Sequence, residues 1–177
     1  MTPAGSPTRP DKAGQFVSGI FTYCTTNKGL AARLRRADNP DTETQSWEVL
    51  AAWRINLEWE DERLPYATVA AAIARSKQAH NGSLSLGRAL AACYDNNPEN
   101  AQGKARLRRL LACHTTPELC RILRPLLRLI ENKVSAVLDY HRLLNQLLRF
   151  QGNPQRIKAQ WAGEFYGALD EEAAGND

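Results

Sequence analysis

The segment Thr115-Thr-Pro-Glu-Leu-Cys-Arg-Ile-Leu-Arg-Pro-Leu-Leu-Arg-Leu-Ile-Glu131 decides the fold class. Thr116-Pro117-Glu118 is a helix start. It offers a hydroxyl cap, a proline at the first helical position and an acid beside the positive end of the helix dipole. Leu119, Ile122, Leu123, Leu126, Leu127 and Ile130 then return every three or four residues. That spacing makes a wide apolar face, which other helices must cover. Arg121, Arg124 and Arg128 stand at i, i+3 and i+7 and share the opposite face. Pro125 removes one backbone donor inside the pattern and predicts a kink or a break.

The pattern extends in both directions. Residues 102–113 read as a helix with Leu107, Leu110 and Leu111 inward. Before it, Leu86, Leu90 and Cys93 mark a shorter helix, capped by Ser83 or Ser85 and ended by Asn96-Asn97-Pro98. Downstream, Asp139 caps a helix carrying Leu143, Leu144, Leu147 and Leu148. Asn153-Pro154 starts another, with Ile157, Trp161 and Phe165 at four-residue steps. Toward the N-terminus, helices are predicted over 15–25, 29–37, 43–57 and 65–77, the last opened by Pro65. No segment reads as a strand, and β-branched residues are sparse. The predicted fold is all-α, about nine helices in two packed helical sub-bundles. Asn81-Gly82 divides them, giving an N-terminal sub-bundle over 13–80 and a C-terminal basic bundle over 83–168. Residues 1–12, rich in Pro, Gly, Ser and Thr, read as a flexible leader, and 169–177 as an acidic disordered tail.

Charge is distributed unevenly along these helices. Residues 101–168 hold twelve Lys or Arg against four acids, Glu118, Glu131, Asp139 and Glu164. That surplus of eight is twice the net charge of the 177-residue chain, +4. Ordinary surface helices intersperse Glu at i, i+4 from their cations, and these hardly do. Arg106 and Arg109 share a face, as do Lys104 and Arg108. Arg142 and Arg149 lie two turns apart, with Asn145 and Gln146 between them. Set side by side, such stripes form a groove for a sugar-phosphate chain, since guanidinium forks contact phosphate oxygens bidentately. Contacts of that kind grip without reading sequence. A smaller basic cluster, Lys28, Arg33, Arg35 and Arg36, precedes an acidic stretch from Asp38 to Glu62.

Catalytic signatures are missing. There is no Gly-rich phosphate loop, no H-E-x-x-H and no G-x-S-x-G. Cys113-His114 beside Cys120 lacks a second ligand pair at zinc spacing. With Cys24 and Cys93, these cysteines read as reduced core residues of a cytoplasmic protein. Neither an enzyme nor a cofactor or metal is expected. Apolar runs are too short and too often broken by Arg to cross a bilayer, so no membrane partner is expected. Few aromatics lie within the basic helices, which disfavours a base-stacking platform. A helix-turn-helix over the sixth and seventh helices lacks the usual glycine in its turn and carries Pro125 in its second helix.

Six segments in order resemble the CasB family, the small subunit of the type I-E Cascade complex of CRISPR immunity. They are Leu30-Ala-Ala-Arg-Leu-Arg-Arg-Ala37, Ser85-Leu-Gly-Arg-Ala-Leu-Ala91, Ala105-Arg-Leu-Arg-Arg-Leu-Leu111, Leu119-Cys-Arg-Ile-Leu-Arg-Pro-Leu-Leu127, Asp139-Tyr-His-Arg-Leu-Leu144 and Trp161-Ala-Gly-Glu-Phe-Tyr166. The resemblance implies an all-helical, non-catalytic antiviral subunit, present as two head-to-tail copies. It implies contacts with the other Cascade subunits, with guide RNA backbone and with target DNA, displaced or target strand, whose opened form it stabilises. The positions it points to are Arg33, Arg35, Arg36, Arg88, Arg106, Arg108, Arg109, Arg121, Arg124 and Arg142. Charge and helical face add Lys104, Arg128 and Arg149 as candidate nucleic-acid contacts. Two other readings stay open at the level of sequence. One is a stand-alone helical DNA-binding regulator; the other is a protein-interaction scaffold whose basic face docks an acidic partner.

Overall fold

The computed structural model describes residues 11–167. Among them are nine α-helices: α1 Lys12–Thr26, α2 Lys28–Arg36, α3 Trp47–Ala52, α4 Glu60–Ser76, α5 Leu86–Ala92, α6 Ala101–Leu111, α7 Thr116–Lys133, α8 Tyr140–Arg149 and α9 Pro154–Tyr166. A 3-10 segment covers Pro40–Ser46. The expected all-α class is what the structure shows; the extended pairing among the described residues is one isolated bridge, Leu84 to Leu138. Most of the expected leader, and the expected acidic tail, lie outside the described residues.

Helix α4 is the shaft of the fold. Pro65 to Ala74, Pro-Tyr-Ala-Thr-Val-Ala-Ala-Ala-Ile-Ala, is buried on every side. A helix apolar or small all round belongs in a core rather than on one. Its alanines let α1, α2, α7 and α8 close around it. At the other end α5 packs on α9, α6 and α7. Phe16, Phe150, Trp161 and Phe165 are the largest fully buried side chains of one continuous apolar core. Trp161 donates its indole N–H to Gln146 Oε1 at 2.9 Å, so its polar edge is satisfied inside the protein.

Five local expectations change. First, the helix expected over 43–57 is a 3-10 segment followed by two turns of α3. Ser46 Oγ donates to the Glu43 carbonyl and competes with the helical ladder there, while Thr42 Oγ1 ties the start of the segment to the Arg36 carbonyl at the end of α2. Arg54 then turns left-handed at φ 55°. Ile55 N–H reaches the Leu50 carbonyl and Arg54 N–H that of Ala51, a Schellman ending with Ile55 buried. Second, α4 starts at Glu60, not Pro65, because Glu60, Asp61 and Glu62 fill its first turn. Third, Thr115 rather than Thr116 caps α7, its Oγ1 accepting the Glu118 N–H. Fourth, α7 continues unbroken past Pro125, which is exposed, so the missing donor faces solvent. At the start of the chain, Asp11 caps α1 and moves its first residue to Lys12.

The segment at Asn81-Gly82 is a clasp. Asn81 donates from Nδ2 to Asp139 Oδ1 at 2.9 Å and accepts the Tyr140 N–H at 2.8 Å. Gly82 N–H donates to the Leu138 carbonyl, Leu84 N–H to that of Val137, and Asp139 N–H to that of Leu84. The link before α5 is thus zipped to the link before α8.

A second close approach joins α5 to α9. A Cβ on Gly87 would stand 2.4 Å from the Trp161 carbonyl oxygen and 2.5 Å from Glu164 Cβ. Glu164 uses that space: Oε2 accepts the Gly87 N–H at 3.1 Å, and Oε1 pairs with Arg142 of α8. One carboxylate therefore fastens α5, α8 and α9. Gly87→Ala is expected to lose about 1–3 kcal/mol by overpacking, read as a lower urea midpoint. An unchanged midpoint would show that α9 yields without cost.

Candidate nucleic-acid interface

The arginines read from the sequence divide into two groups. One is built into the fold. Arg124 is buried, 7% exposed, and donates Nη1 to the backbone carbonyl of Asp38 at 3.1 Å. Arg128 donates Nε to Asp38 Oδ2 at 2.7 Å. Asp38 is itself 3% exposed, just beyond α2, and also meets Arg75 Nη1 of α4 at 2.6 Å. Arg75 forks onto Glu131 of α7, with Nε at 3.0 Å and Nη2 at 3.1 Å. Burial pushes the Glu131 carboxyl above the usual carboxylate range, against the pull of Arg75. The triplet Arg121, Arg124, Arg128 is therefore not one free face: its second and third members tie α7 to the end of α2.

The second group lines grooves. Between α8 and α9 lies a groove of about 420 Å³ walled by Arg142, Asn145 and Arg149 on one side and Asn153, Arg156 and Gln160 on the other. Its floor is held by Gln146, which accepts from Trp161 and donates Nε2 to Gln160 Oε1 at 3.2 Å. Arg149 and Arg156 form no ion pair among the described residues. Arg142 is held by Glu164 at the groove's end. A second groove, about 400 Å³, runs between α6 and α7. Arg106 and Arg109 rim it over a floor of Ile122, Pro125 and Leu126. Arg106 is aimed by Tyr94, whose hydroxyl accepts its Nε–H at 2.7 Å. Near the turn after α6, three helices bring cations together: burial and then Glu118 push the Cys113 thiol up, while Lys158, Arg121 and Arg109 pull it down.

The remaining expected positions are scattered. Arg108 and Arg121 are exposed without an ion pair among the described residues, and so is Arg36. Arg33 pairs with Glu48 at 2.5 Å, Lys104 with Glu99 at 2.6 Å, and Arg35 donates to the Ala74 carbonyl at 3.3 Å. Arg88 is half-buried on α5. Arg156, Asn153 and Gln160 were missed by sequence reading. Their signal is modest: Arg156 falls seven residues after Arg149, on the far side of a helix break, where periodicity says nothing. All four cysteines are unpaired, and Cys93, Cys113 and Cys120 are buried. Burial pushes Cys120 up to about 12. No helix among the described residues is long and apolar enough to cross a membrane.

Comparison with known proteins adds three findings. The family model for CRISPR-associated protein Cse2 matches residues 30–166. Among curated protein sequences none matches. Among solved structures the chain is similar to M. ruber CasB, at 22% identity and TM-score 0.70, covering 94% of this chain and 98% of that one. It is similar to a Cse2-family protein of Thermus thermophilus, at 24% identity and TM-score 0.68, covering 91% and 100%. It is also similar to a chain of a CRISPR RNA-guided surveillance complex, at 22% identity and TM-score 0.69, covering 94% and 96%.

Proposed function

The chain belongs to the CRISPR-associated protein Cse2 family, also called CasB, and on that premise we propose that it is a non-catalytic structural subunit of an RNA-guided CRISPR effector that grips nucleic-acid backbone. The observation that carries this reading is the pair of arginine-lined grooves, on α6–α7 and on α8–α9, with cations left without carboxylate partners. Arg142, Arg149 and Arg156 would meet phosphates in one groove, and Arg106 and Arg109 in the other, with Arg108 and Arg121 adding field. Arg142 and Arg149 stand two turns apart, about 11 Å along the helix, which suits a chain of phosphates rather than a single anion. Asn145, Asn153 and Gln160 supply amide donors and acceptors to sugar and phosphate oxygens.

Such a surface is useful to an RNA-guided complex because it is blind to sequence. Opening a target exchanges DNA pairing for RNA–DNA pairing at nearly balanced free energy. Contacts to the displaced or target strand, or to guide RNA, tip that balance. Base reading would compete with the guide. In this role the chain works in the cytoplasm beside the other Cascade subunits and a second copy of itself. A stand-alone regulator is less well supported. The apolar face of α7, which would be its recognition helix, lies in the core, and Arg124 and Arg128 are turned to Asp38.

The test is fluorescence anisotropy with unrelated single- and double-stranded DNA. About four phosphate contacts should make affinity for duplex fall about a hundredfold between 50 and 200 mM salt, with no preference among sequences. Absence of binding at low salt would sink the backbone-gripping role and turn the grooves toward protein partners. Discrimination of several kcal/mol between sites would favour the regulator instead.

A further inference from the structure

The groove between α6 and α7 is unlike its neighbour on α8–α9. Its floor is apolar, Ile122, Pro125 and Leu126, and its rim is cationic, Arg106 and Arg109. An occupant suited to it carries an aliphatic side chain next to carboxylates. The chain owns such a segment: Leu169-Asp170-Glu171-Glu172 follows the end of α9 after two residues.

The fold puts the last turn of α9 beside the first turn of α6. Phe165, in the last turn of α9, lies against the first turn of α6: a Cβ on Gly103 would meet its ring at 3.2 Å and that of Tyr94 at 3.1 Å. Tyr94 is also the residue that aims Arg106. From Gly103 to Arg109 is about 9 Å along the helix axis. The five residues after Gly167, through Glu172, span up to about 17 Å when extended. That reach exceeds the axial distance along α6, and the charges are complementary.

We propose that residues 169–172 seat in the α6–α7 groove, Leu169 on its apolar floor and the carboxylates on Arg106 and Arg109, and compete there with nucleic-acid phosphates. The tail is then a built-in phosphate mimic. It lowers the affinity of the free subunit for stray nucleic acid and is displaced where many phosphates are presented together. The competition rests on the proposed nucleic-acid role; the docking itself does not.

Two variants of the full chain separate docking from mere charge. The triple change Asp170→Asn, Glu171→Gln and Glu172→Gln removes the carboxylates; Leu169→Ser removes the apolar anchor and leaves the charge alone. Two-dimensional amide NMR without nucleic acid should show Gln102, Arg106, Arg109 and Ile122 shifted in both variants relative to the parent chain. Anisotropy with single-stranded DNA at 50 mM salt should show both binding more tightly, the triple variant by about tenfold, three weak ion pairs' worth. Tighter binding by the triple variant with Leu169→Ser unchanged would reduce the tail to a diffuse charge and overturn the docking. Unmoved groove amides would overturn it too, and amide shifts that depend on protein concentration would assign the groove to a second copy. Groove shifts with no DNA binding by any variant would leave the docking standing and sink the nucleic-acid role instead.

Discussion

Arg75→Ala should remove about 3–5 kcal/mol of folding stability, the usual result of stripping one member from a buried ion cluster. Arg75 is the cation that both inner carboxylates share: it meets Asp38 at 2.6 Å and Glu131 at 3.0 Å. Without it Glu131 is left facing the core, and Asp38 retains only Arg128, whose side chain is half-exposed. Asp38 Oδ1 and Arg124 Nε already lack hydrogen-bond partners, so the cluster is incompletely satisfied even with Arg75 in place. A chain of this size should lose roughly 10 °C in midpoint. Arg128→Ala should lose under about 1 kcal/mol, because Arg128 is solvated and Asp38 keeps Arg75. The deficit of Arg75→Ala should also shrink with acid. The orphaned Glu131 carboxyl, which burial already pushes up, titrates higher in the folded state than in the unfolded one, so folding binds a proton. Stability then falls as pH rises from the ordinary carboxylate value toward neutrality, and is recovered on the way down. Equal losses from the two variants, or a deficit indifferent to pH between 5 and 7, would show that the cluster does not hold α2, α4 and α7 together.

That cluster marks the boundary of what was legible in the chain. Helix α7 could be read because its apolar residues repeat locally, and α9 because Ile157, Trp161 and Phe165 do the same; all those expected inward are buried except Ile122, which is partly exposed. The segment Ser85-Leu-Gly-Arg-Ala-Leu-Ala91, which carried much of the family resemblance, contains a glycine whose reason is physical: α9 touches its backbone. Asp38 could not be read. In sequence it opens an acidic stretch and looks solvated; in the fold its partners are 37, 86 and 90 residues away. Charge is compensated in space, and a helical face lists only the charges of its own helix. The same limit hid Arg156, which joins Arg142 and Arg149 only after the turn at Asn153-Pro154 folds α9 back along α8. Helix α3 failed for a different reason. Ser46 offers the Glu43 carbonyl a local partner that competes with the ladder, and periodicity does not weigh that competition.

The quadruple replacement Arg106→Ala, Arg109→Ala, Arg149→Ala and Arg156→Ala should weaken single-stranded DNA binding by about a hundredfold at 50 mM salt and flatten the salt slope by about three units. These four residues can be removed without leaving a buried carboxylate unpaired: none forms an ion pair among the described residues, and Tyr94 loses only a donor at its hydroxyl. Unfolding midpoints should therefore stay within about 1 kcal/mol of the parent. The contrast with Arg75 is the discriminating feature, since the two sets have opposite signatures, one on stability and one on affinity. Replacing Arg149 and Arg156 alone, against Arg106 and Arg109 alone, then tells which groove carries the strand. A loss confined to the α8–α9 pair would fit a tail that occupies the α6–α7 groove in the free chain. A loss shared equally would mean that DNA displaces the tail even at low salt. No loss from the quadruple variant would move the footprint to Arg35, Arg36, Arg108 and Arg121, expected positions that stand exposed and without an ion pair among the described residues.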